Sequence, residues 1–195
     1  ITGKWRDDST GPMQVVSGPI GKEKVHFQAP PSKEVENEMS RFLNWFNSRS
    51  DTDLVLKAGV AHFWFVTIHP FEDGNGRIAR VLADMLLALA EGSDRRFYSM
   101  SAQIRKERKK YYEILERSQK DTLDITGWLL WFLECVESAL NNAADVLSSV
   151  LYKAEFWNKY SSVLLNERQR LMLNKLLEGF RGKLTSSKWA KITGC

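Results

Sequence analysis

The stretch from Thr52 to Ile68, TDLVLKAGVAHFWFVTI, is the feature that most restricts how this chain can fold. Its apolar residues fall on nearly every side of a helix rather than along one stripe. A helix that is apolar all round is stable only when other elements cover it. We therefore expect this segment to be the central buried helix of a helical domain.

The segments on either side of this stretch carry the apolar periodicity of amphipathic helices. One begins at Ser32, a candidate N-cap, and its apolar face comprises Val35, Met39, Phe42, Leu43 and Phe46. A second begins near Asn75 and ends at Gly92, because glycine commonly follows the last turn of a helix. Further helices are predicted over residues 102–119 and from about Asp124 to Tyr160, the latter with room for one break.

The first 31 residues are rich in glycine and proline and predict a different structure. Two short β-prone runs, Met13–Val16 and Lys24–Gln28, are joined by a turn of Gly, Pro and Lys, which is typical of a β-hairpin. Pro30 and Pro31 end the second run. The predicted fold class is therefore all-α, mainly helical, with one small β-hairpin.

From residue 161 the pattern changes to a capped helix, a glycine-containing turn and a short helix that begins near Thr185. This order is typical of the start of a helix-turn-helix or winged-helix module. A plain C-terminal helical hairpin is the alternative. The helix that would enter a DNA groove would follow Gly194. The predicted domains are 1–31 with the hairpin, 32–160 as the helical core and 161–195 as a truncated winged-helix segment.

The composition suits a globular core, with 43% hydrophobic and 27% charged residues. The formal charge of +4 is compatible with a nucleotide or nucleic-acid partner. Cys135 and Cys195 form neither a disulfide framework nor a metal-type spacing, and the sequence has no signal peptide or membrane-spanning run. We expect a cytoplasmic protein with no membrane contact and, since it begins at Ile1 rather than Met, a fragment of a longer protein.

A polar run follows the apolar helix, IHPFEDGNGRIAR from Ile68 to Arg80, and it combines groups that suit a polyphosphate. The glycines beside Asn75 let the backbone approach a ligand closely, and free N–H groups at a helix start attract an anion. Arg77 and Arg80 lie in the first turns of the helix, where cations oppose the helix dipole, so a bound anion would explain both. The alternative is that these arginines pair with surface carboxylates.

His69 ends the apolar helix immediately before Pro70. A lone imidazole at a helix C-terminus is commonly a structural cap. Beside a phosphate site, the same imidazole can deprotonate a hydroxyl that attacks phosphorus. Asp73 abuts the glycines and can hold a hard divalent cation that bridges phosphates. We expect Phe71 to anchor the loop in the core and Glu72 to be exposed.

The run from His69 to Arg80 contains the motif HPFxDGNGRxxR, and the chain therefore resembles Fic-domain proteins. GKWR near the start, the MQVVSG hairpin, the APP turn and KYYEILERSQ occur in the order that the family shows. The resemblance covers about residues 1–150, and the tail resembles the winged-helix segment that often follows bacterial Fic domains. It implies transfer of AMP from ATP, with Mg²⁺, to a Ser, Thr or Tyr hydroxyl of a target protein, including self-modification.

The resemblance also implies roles by position, with His69 as the general base and Asp73 as the Mg²⁺ ligand. The hairpin is similar to the flap that aligns a target segment by strand addition. Gly74 to Gly76 resemble the anion hole, the two arginines the contacts to the phosphate chain, and Gln119 stands where relatives often have Asn near the adenine. The implied nucleotide site comprises Val15, Val16, Ser17, Gly18, Asp73, Gly74, Asn75, Gly76, Arg77, Ile78, Ala79, Arg80, Tyr111, Tyr112 and Gln119.

Many Fic proteins carry an inhibitory helix with the motif (S/T)xxxE(G/N). The pairs Glu91-Gly92 and Glu178-Gly179 do not match it, because Leu87 and Asn174 stand where Ser or Thr is required. We therefore expect such a helix upstream of Ile1.

Three alternatives to AMP transfer differ in the sequence features that they require. A Fic-type phosphotransferase would tend to have lysine in place of Gly76. A DNA-binding regulator would use the Fic domain as a nucleotide sensor and a complete C-terminal module to bind DNA. An inactive Fic fold would have a broken motif, and this motif is unbroken. The aromatic side chains on the helices also make a homodimer an expected assembly.

Overall fold

The computed structural model describes residues 3–9, 11–19, 21–49, 51–93, 96–120 and 123–194; Cys195 and one position of the predicted hairpin turn lie outside them. The elements are β1 Gln14–Ser17, β2 Lys24–Gln28, α1 Ser32–Asn47, α2 Leu54–Ile68, α3 Asn75–Glu91, α4 Met100–Lys106, α5 Arg108–Lys120, α6 Thr126–Lys159, α7 Glu167–Leu177 and α8 Ser186–Thr193. The strands β1 and β2 form an antiparallel hairpin. The predicted fold class is therefore confirmed.

The chain divides into two compact units, residues 1–140 and 141–195, and the division falls inside α6. The predicted boundary near residue 160 stays a prediction, as does the division at residue 31.

Helix α2 is buried along most of its length, as its apolar sequence predicts. It begins where the side chain of Asp53 accepts hydrogen bonds from the N–H groups of Val55 and Leu56, a regular N-cap. Phe65 packs edge-on against Phe42 of α1, with ring centroids 5.8 Å apart. Fully burying side chains of this size contributes about 1.5–3 kcal/mol each, so α2 holds the first unit together.

Gly59 explains how α6 comes close to α2. A Cβ at this position would lie 3.0 Å from Leu129 and 3.1 Å from Phe132, which is tighter than normal packing. The indole Nε1–H of buried Trp128 donates to the Gly59 carbonyl oxygen at 2.8 Å. Glycine is unfavourable inside a helix, and here it makes room for the aromatic side chains of α6.

The helix ends differ from the sequence prediction in three places. The N-cap of α1 is Pro31, and Ser32 is the first residue of the helix. The Ser32 N–H donates to Asp8 Oδ2 at 2.7 Å. The helix predicted over residues 102–119 is two helices, since α4 ends at Lys106 with Glu107 as its C-cap and α5 begins at Arg108. Helix α6 has no break from Thr126 to Lys159. Helix α3 spans Asn75–Glu91 with Gly92 as its left-handed C-cap, as predicted.

The second unit contains the capped helix and the short helix predicted from the sequence. Asn166 and Gln169 form a reciprocal capping box at the start of α7. The hydroxyl of Thr185 accepts from the Lys188 N–H at the start of α8. Whether these helices open a winged-helix module stays a prediction. None of the helices in the described parts of the chain is both long and apolar enough to cross a membrane.

Candidate functional site

His69 lies at the C-cap of α2 with its backbone in the left-handed conformation, at φ 52° and ψ 58°. Within the described ranges it is the one non-glycine residue with positive φ. Its N–H still donates to Phe65 O at 3.0 Å, and Pro70 cannot continue the helix. A conformation of this kind costs about 1–3 kcal/mol and persists only where the surroundings enforce it. The sequence prediction that His69 ends the helix is therefore correct, and the residue is strained there.

The His69 imidazole is half-buried and has a defined hydrogen bond. Its Nδ1 lies 3.2 Å from Val66 O. Because a carbonyl only accepts hydrogen bonds, Nδ1 carries the proton in this contact and Nε2 is left with the lone pair. Burial lowers the pKa of His69; the Val66 bond opposes this, and the positive charge of Arg6 adds to the lowering. The imidazole is thus held neutral at pH 7, with Nε2 as its basic atom.

Arg6 is buried and hydrogen-bonds to the backbone of His69 and Pro70. Its Nε donates to His69 O at 2.7 Å, and its own N–H donates to Pro70 O at 2.9 Å. The Nη2 group donates to Pro30 O, just after the hairpin, and Nη1 pairs with Asp8 at 3.0 Å. The sequence prediction quoted GKWR only for its resemblance and gave Arg6 no role. Apart from Asp8, its partners are distant in the chain, so no local pattern could have identified them.

The histidine loop, residues 69–74, is held by ring contacts of Phe71 and by the buried side chain of Asn75. Phe71 packs against Trp5 and Phe65, with ring centroids 5.2 and 6.4 Å away. Asn75 is 2% exposed, accepts from the Phe71 N–H at 3.0 Å and donates to Phe71 O at 2.7 Å. Glu72 is exposed. The Asn75 side chain therefore holds the loop, which leaves its backbone N–H as the group that can meet an anion.

The start of α3 has the features of an anion site. Gly74 is the N-cap with φ 88°, a conformation that glycine adopts without strain. Its carbonyl accepts from the N–H groups of Arg77 and Ile78, while the first N–H groups of any helix have no partner inside it. The first turn of α3 contains no acidic residue. An anion is thus favoured at this helix end by the backbone and by the dipole.

Asp73 and Arg77 form an ion pair on the surface. Arg77 Nη2 lies 2.9 Å from Asp73 Oδ2, and the side chains are 72% and 90% exposed. The alternative considered from the sequence, an arginine paired with a surface carboxylate, therefore applies to Arg77 in this structure. Such exposed pairs are weak, so both groups are available to a ligand.

Arg80 is half-buried and lies one turn further along α3. A Cβ placed on Gly76 would lie 3.8 Å from Arg80 Nη1, so the guanidinium folds back along the helix start. Its charge also acts on two buried groups: it adds to the lowering of the His62 pKa by burial, and it opposes the rise that burial gives to the Tyr111 pKa. Ile78 packs against the core and Ala79 is fully buried. The side chains of these last two residues therefore belong to the core rather than to the helix surface.

The tyrosine pair of α5 is divided between core and surface. Tyr111 is 4% exposed, and burial raises its pKa. Its hydroxyl lies 3.1 Å from Nε2 of His62, a buried histidine whose pKa burial lowers to about 3. Tyr112 is 50% exposed. Gln119 donates to Thr67 Oγ1 at 3.1 Å. Of the pair, Tyr112 is the ring that a ligand can reach.

The hairpin residues Val16, Ser17 and Gly18 are exposed, and Val15 is half-buried. The register of the two strands is irregular between Val15 and Val16. Gly18 has φ 109°, and a Cβ there would lie 2.9 Å from the Lys22 carbonyl oxygen, so glycine is required at this turn. The exposed surface of the hairpin is consistent with its predicted use as a contact surface for another chain.

Glu116 of α5 connects the hairpin to the helices. Its carboxylate contacts His26 Nδ1 and pairs with Lys120 at 2.6 Å and Lys24 at 3.6 Å. On the other side of the ring, His26 Nε2 lies 2.6 Å from Ser17 Oγ. The bond from Lys120, followed by that from His26, lowers the pKa of Glu116 to about 2. The sequence prediction did not include His26, Glu116, His62 or Thr67, because each acts through a partner far along the chain.

Comparison with known proteins agrees with this arrangement over the N-terminal part of the chain. Residues 1–87 match the Fic/DOC family. The protein adenylyltransferase Fic of Drosophila virilis is 35% identical over 105 residues, which is 53% of this chain and 20% of that protein. A probable protein adenylyltransferase of Aquifex aeolicus is 39% identical over 61 residues, 31% of this chain and 19% of that protein. The chain thus spans about a fifth of the length of these relatives.

Two solved structures have a similar fold. A Fic family protein from Desulfovibrio desulfuricans G20 has a TM-score of 0.54 and 21% identity, covering 89% of this chain and 47% of its own. A Fic domain containing signaling protein from Bacteroides thetaiotaomicron has a TM-score of 0.52 and 23% identity, covering 72% of this chain and 52% of its own. These two likenesses concern the fold alone, and the match to the Fic/DOC family lies within residues 1–87.

Proposed function

We propose, on the premise of a Fic domain in the first unit, that the chain transfers AMP from ATP to a hydroxyl side chain of a target protein. The observation that carries this proposal is the state of His69. Its Nδ1–H is bound to Val66 O and its pKa is lowered, so Nε2 is a neutral base at pH 7. The start of α3, whose first N–H groups have no partner inside the helix, follows the same loop.

In the proposed reaction, His69 Nε2 accepts the proton of the target hydroxyl as the hydroxyl oxygen bonds to the α-phosphorus of ATP. The bond from the α-phosphorus to the oxygen shared with the β-phosphate breaks, and pyrophosphate leaves with the electron pair. General base catalysis contributes about 10²–10⁴-fold. Positioning and charge neutralisation supply the rest, because such transfers ask little covalent chemistry of the protein.

The phosphate chain would be held by the first turns of α3. The N–H groups of Gly74, Asn75 and Gly76 face the anion as the predicted anion hole. Arg77 exchanges its exposed pair with Asp73 for a phosphate oxygen. Arg80 contacts the chain beside Gly76, where its guanidinium already lies along the helix start.

Asp73 suits the proposed Mg²⁺ site because its carboxylate is exposed at the edge of the anion site. Among the described residues, no group of three or more His, Cys, Asp or Glu side chains that could hold a metal is found. Mg²⁺ is commonly held by one or two carboxylates together with substrate phosphates. Bound by Asp73, it would neutralise charge on the α- and β-phosphates.

The hairpin and α5 would supply the remaining contacts. A target segment would add to the hairpin as a strand, a mode in which backbone hydrogen bonds give affinity with little sequence preference. Because Tyr111 is buried, Tyr112 is the tyrosine that we assign to the nucleotide. Gln119 is half-buried at the end of α5 and is assigned to the adenine side.

The test is to incubate the chain with Mg²⁺, a cell lysate and ATP labelled at the α-phosphate, in parallel with ATP labelled at the γ-phosphate. The proposal expects proteins labelled only from α-labelled ATP, and the chain itself among them if it modifies itself. His69→Ala should abolish labelling while calorimetry still detects ATP binding. Parallel loss of ATP binding would contradict the base role.

The alternatives predict other results. Label from the γ-phosphate would indicate a phosphotransferase, and ATP binding with no label from either position would indicate a sensor or an inactive fold. The predicted DNA contact is tested separately by a mobility shift whose affinity falls with salt. Sedimentation tests the expected homodimer.

A further inference from the structure

The charged side chain of Arg6 lies in the protein interior, where a charge without partners is unfavourable. Its side chain is fully buried, and its ion-pair partner Asp8 is only 31% exposed. Burying a guanidinium requires that its donors find partners. Two of the partners are carbonyl oxygens rather than carboxylates, namely those of His69 and Pro30.

These two carbonyls belong to the two parts of the proposed site. His69 O is the carbonyl of the strained left-handed residue that carries the base. Pro30 O follows β2, the second strand of the hairpin. The Arg6 N–H adds a third contact, to Pro70 O at 2.9 Å. The planar guanidinium of Arg6 thus bonds the histidine loop at His69 O and the end of the hairpin at Pro30 O.

The other contacts of Arg6 hold it in this position. Asp8 Oδ1 accepts from Arg6 Nη1 at 3.0 Å, and Asp8 Oδ2 accepts from the Ser32 N–H at the start of α1. Trp5, the preceding residue, packs on Phe71 of the loop. The arginine is therefore attached to a helix end on one side and to the loop on the other.

We propose that Arg6 is a positioning residue for His69: its guanidinium fixes the left-handed turn that aims the imidazole and couples that turn to the end of the hairpin. The proposal rests on the proposed role of His69 as the base. An arginine is needed because its fork presents several donors in a fixed plane, whereas lysine has one flexible ammonium.

A purely structural arginine would explain burial and ion pairing equally well, so the test needs a matched control. Arg96 provides one. Its side chain is 12% exposed and pairs with Asp84 at 2.5 Å and with Glu91 at 3.6 Å. It lies in the same unit and has no part in the proposed site. R96M therefore reports the loss of a mostly buried guanidinium elsewhere.

The experiment compares R6M, R6K and R96M with the wild-type chain, after each rate is corrected for the folded fraction measured by thermal unfolding. We expect kcat for AMP transfer to fall about 10²-fold in R6M, the size of loss that misplacing a catalytic group produces. KM for ATP should change little, since the phosphate contacts lie on α3. R96M should keep the wild-type kcat.

R6K separates position from charge. It keeps a cation beside His69 but cannot donate to His69 O and Pro30 O from one plane. We expect kcat of R6K to fall nearly as far as in R6M. In contrast, the NMR-measured pKa of His69 should rise in R6M and stay low in R6K, because Arg6 is the charged group that shifts it among the described residues. The other charges along the loop are unchanged in these variants: Glu72 is exposed, and Asp73 pairs with Arg77.

A second NMR readout does not depend on activity. The backbone carbon shifts of His69 report its left-handed conformation, and they should change in R6M and R6K but not in R96M. If the wild-type chain transfers no AMP, the proposed function fails, and these shifts still decide whether Arg6 positions His69. If R6M does not fold, R6K takes its place in the kinetic and NMR comparisons with R96M. Unchanged His69 shifts, together with a kcat equal to that of R96M, would overturn the proposal.

Discussion

The histidine loop and the hairpin are held in opposite ways. The loop is fixed by buried groups: Asn75 bonds both backbone groups of Phe71, and Arg6 bonds the carbonyl of His69. The hairpin is mostly exposed, and α5 holds it through the Glu116 carboxylate. Both segments belong to the first unit.

The difference follows from what each segment is proposed to do. A base must stay within a fraction of an ångström of its target, which buried hydrogen bonds achieve because water does not compete for them. A surface that pairs with varied segments needs exposed backbone and tolerates movement. Substitutions in the buried loop should therefore have larger effects than substitutions at the exposed surface.

Asn75→Ala should damage the loop most. It leaves the N–H and carbonyl of Phe71 without partners, and each buried group left unpaired costs about 1–3 kcal/mol. We expect the free energy of unfolding, measured with urea, to fall by about 3 kcal/mol and AMP transfer to fall about 10²-fold. Asn75→Asp keeps the acceptor for the Phe71 N–H but places a buried carboxylate oxygen against Phe71 O, so it should lose at least as much stability at pH 7. Wild-type stability in Asn75→Ala would contradict the anchoring role.

His62 should make the core around α2, α5 and α6 sensitive to acid, because its ring lies against Tyr111, Trp128 and Phe132. Burial lowers its pKa from 6.5 to about 3, so the folded state resists protonation while the unfolded state accepts a proton near pH 6.5. Stability is complete above pH 6.5 and is lost as the pH falls toward 3, by about 2 kcal/mol between pH 6.5 and 5. Urea unfolding at a series of pH values measures this loss. His62→Gln should remove the slope in this window, and an unchanged slope would exclude His62 as its source.

His69 should set the acidic side of the activity profile. Its pKa is lowered by burial, so the base is neutral at pH 7 and becomes protonated only below its ordinary range. We expect AMP transfer to be constant above about pH 6.5 and to fall as the pH drops through the His69 pKa. Rates measured at pH values above the range of acid unfolding test this. A profile that falls above pH 7 on acidification would be incompatible with a lowered pKa.

Glu116→Gln should loosen the hairpin and leave the loop intact. The variant loses the charge that holds His26, Lys24 and Lys120. We expect faster hydrogen exchange in β1 and β2, a higher KM for the protein target and an unchanged kcat. Glu113→Gln is the matched control, because Glu113 lies on the same helix and pairs with Lys109. Equal effects of the two variants would mean that Glu116 has no special role in holding the hairpin.

Arg77→Ala should have the smallest effect on the fold. The pair with Asp73 is exposed on both sides, and such pairs contribute about 0–1 kcal/mol. We expect a thermal transition near that of the wild type but weaker ATP binding by calorimetry, because the guanidinium is proposed to serve the phosphate chain. Unchanged ATP affinity would leave Arg77 as a surface partner of Asp73 and nothing more.

Local signals in the sequence were enough to predict most element ends. Gly92 ends α3, Thr185 caps α8, and the apolar run predicts α2 nearly to the residue. The break at Glu107 was missed, because residues 102–119 keep a helical pattern across it. Ser32 was misassigned as an N-cap, since its N–H is taken by Asp8 from a separate segment.

The sequence by itself determined the order of elements, the loop motif and the position of His69 at a helix end. These depend on contacts within a few residues, through helix hydrogen bonds, caps and glycine conformations. Only the tertiary structure decided which groups are buried and paired. Arg6 and His69 are 63 positions apart, Gln119 and Thr67 are 52 apart, and Tyr111 and His62 are 49 apart. Such pairs form because packing of the helices brings distant residues together, and no periodicity in the chain encodes them.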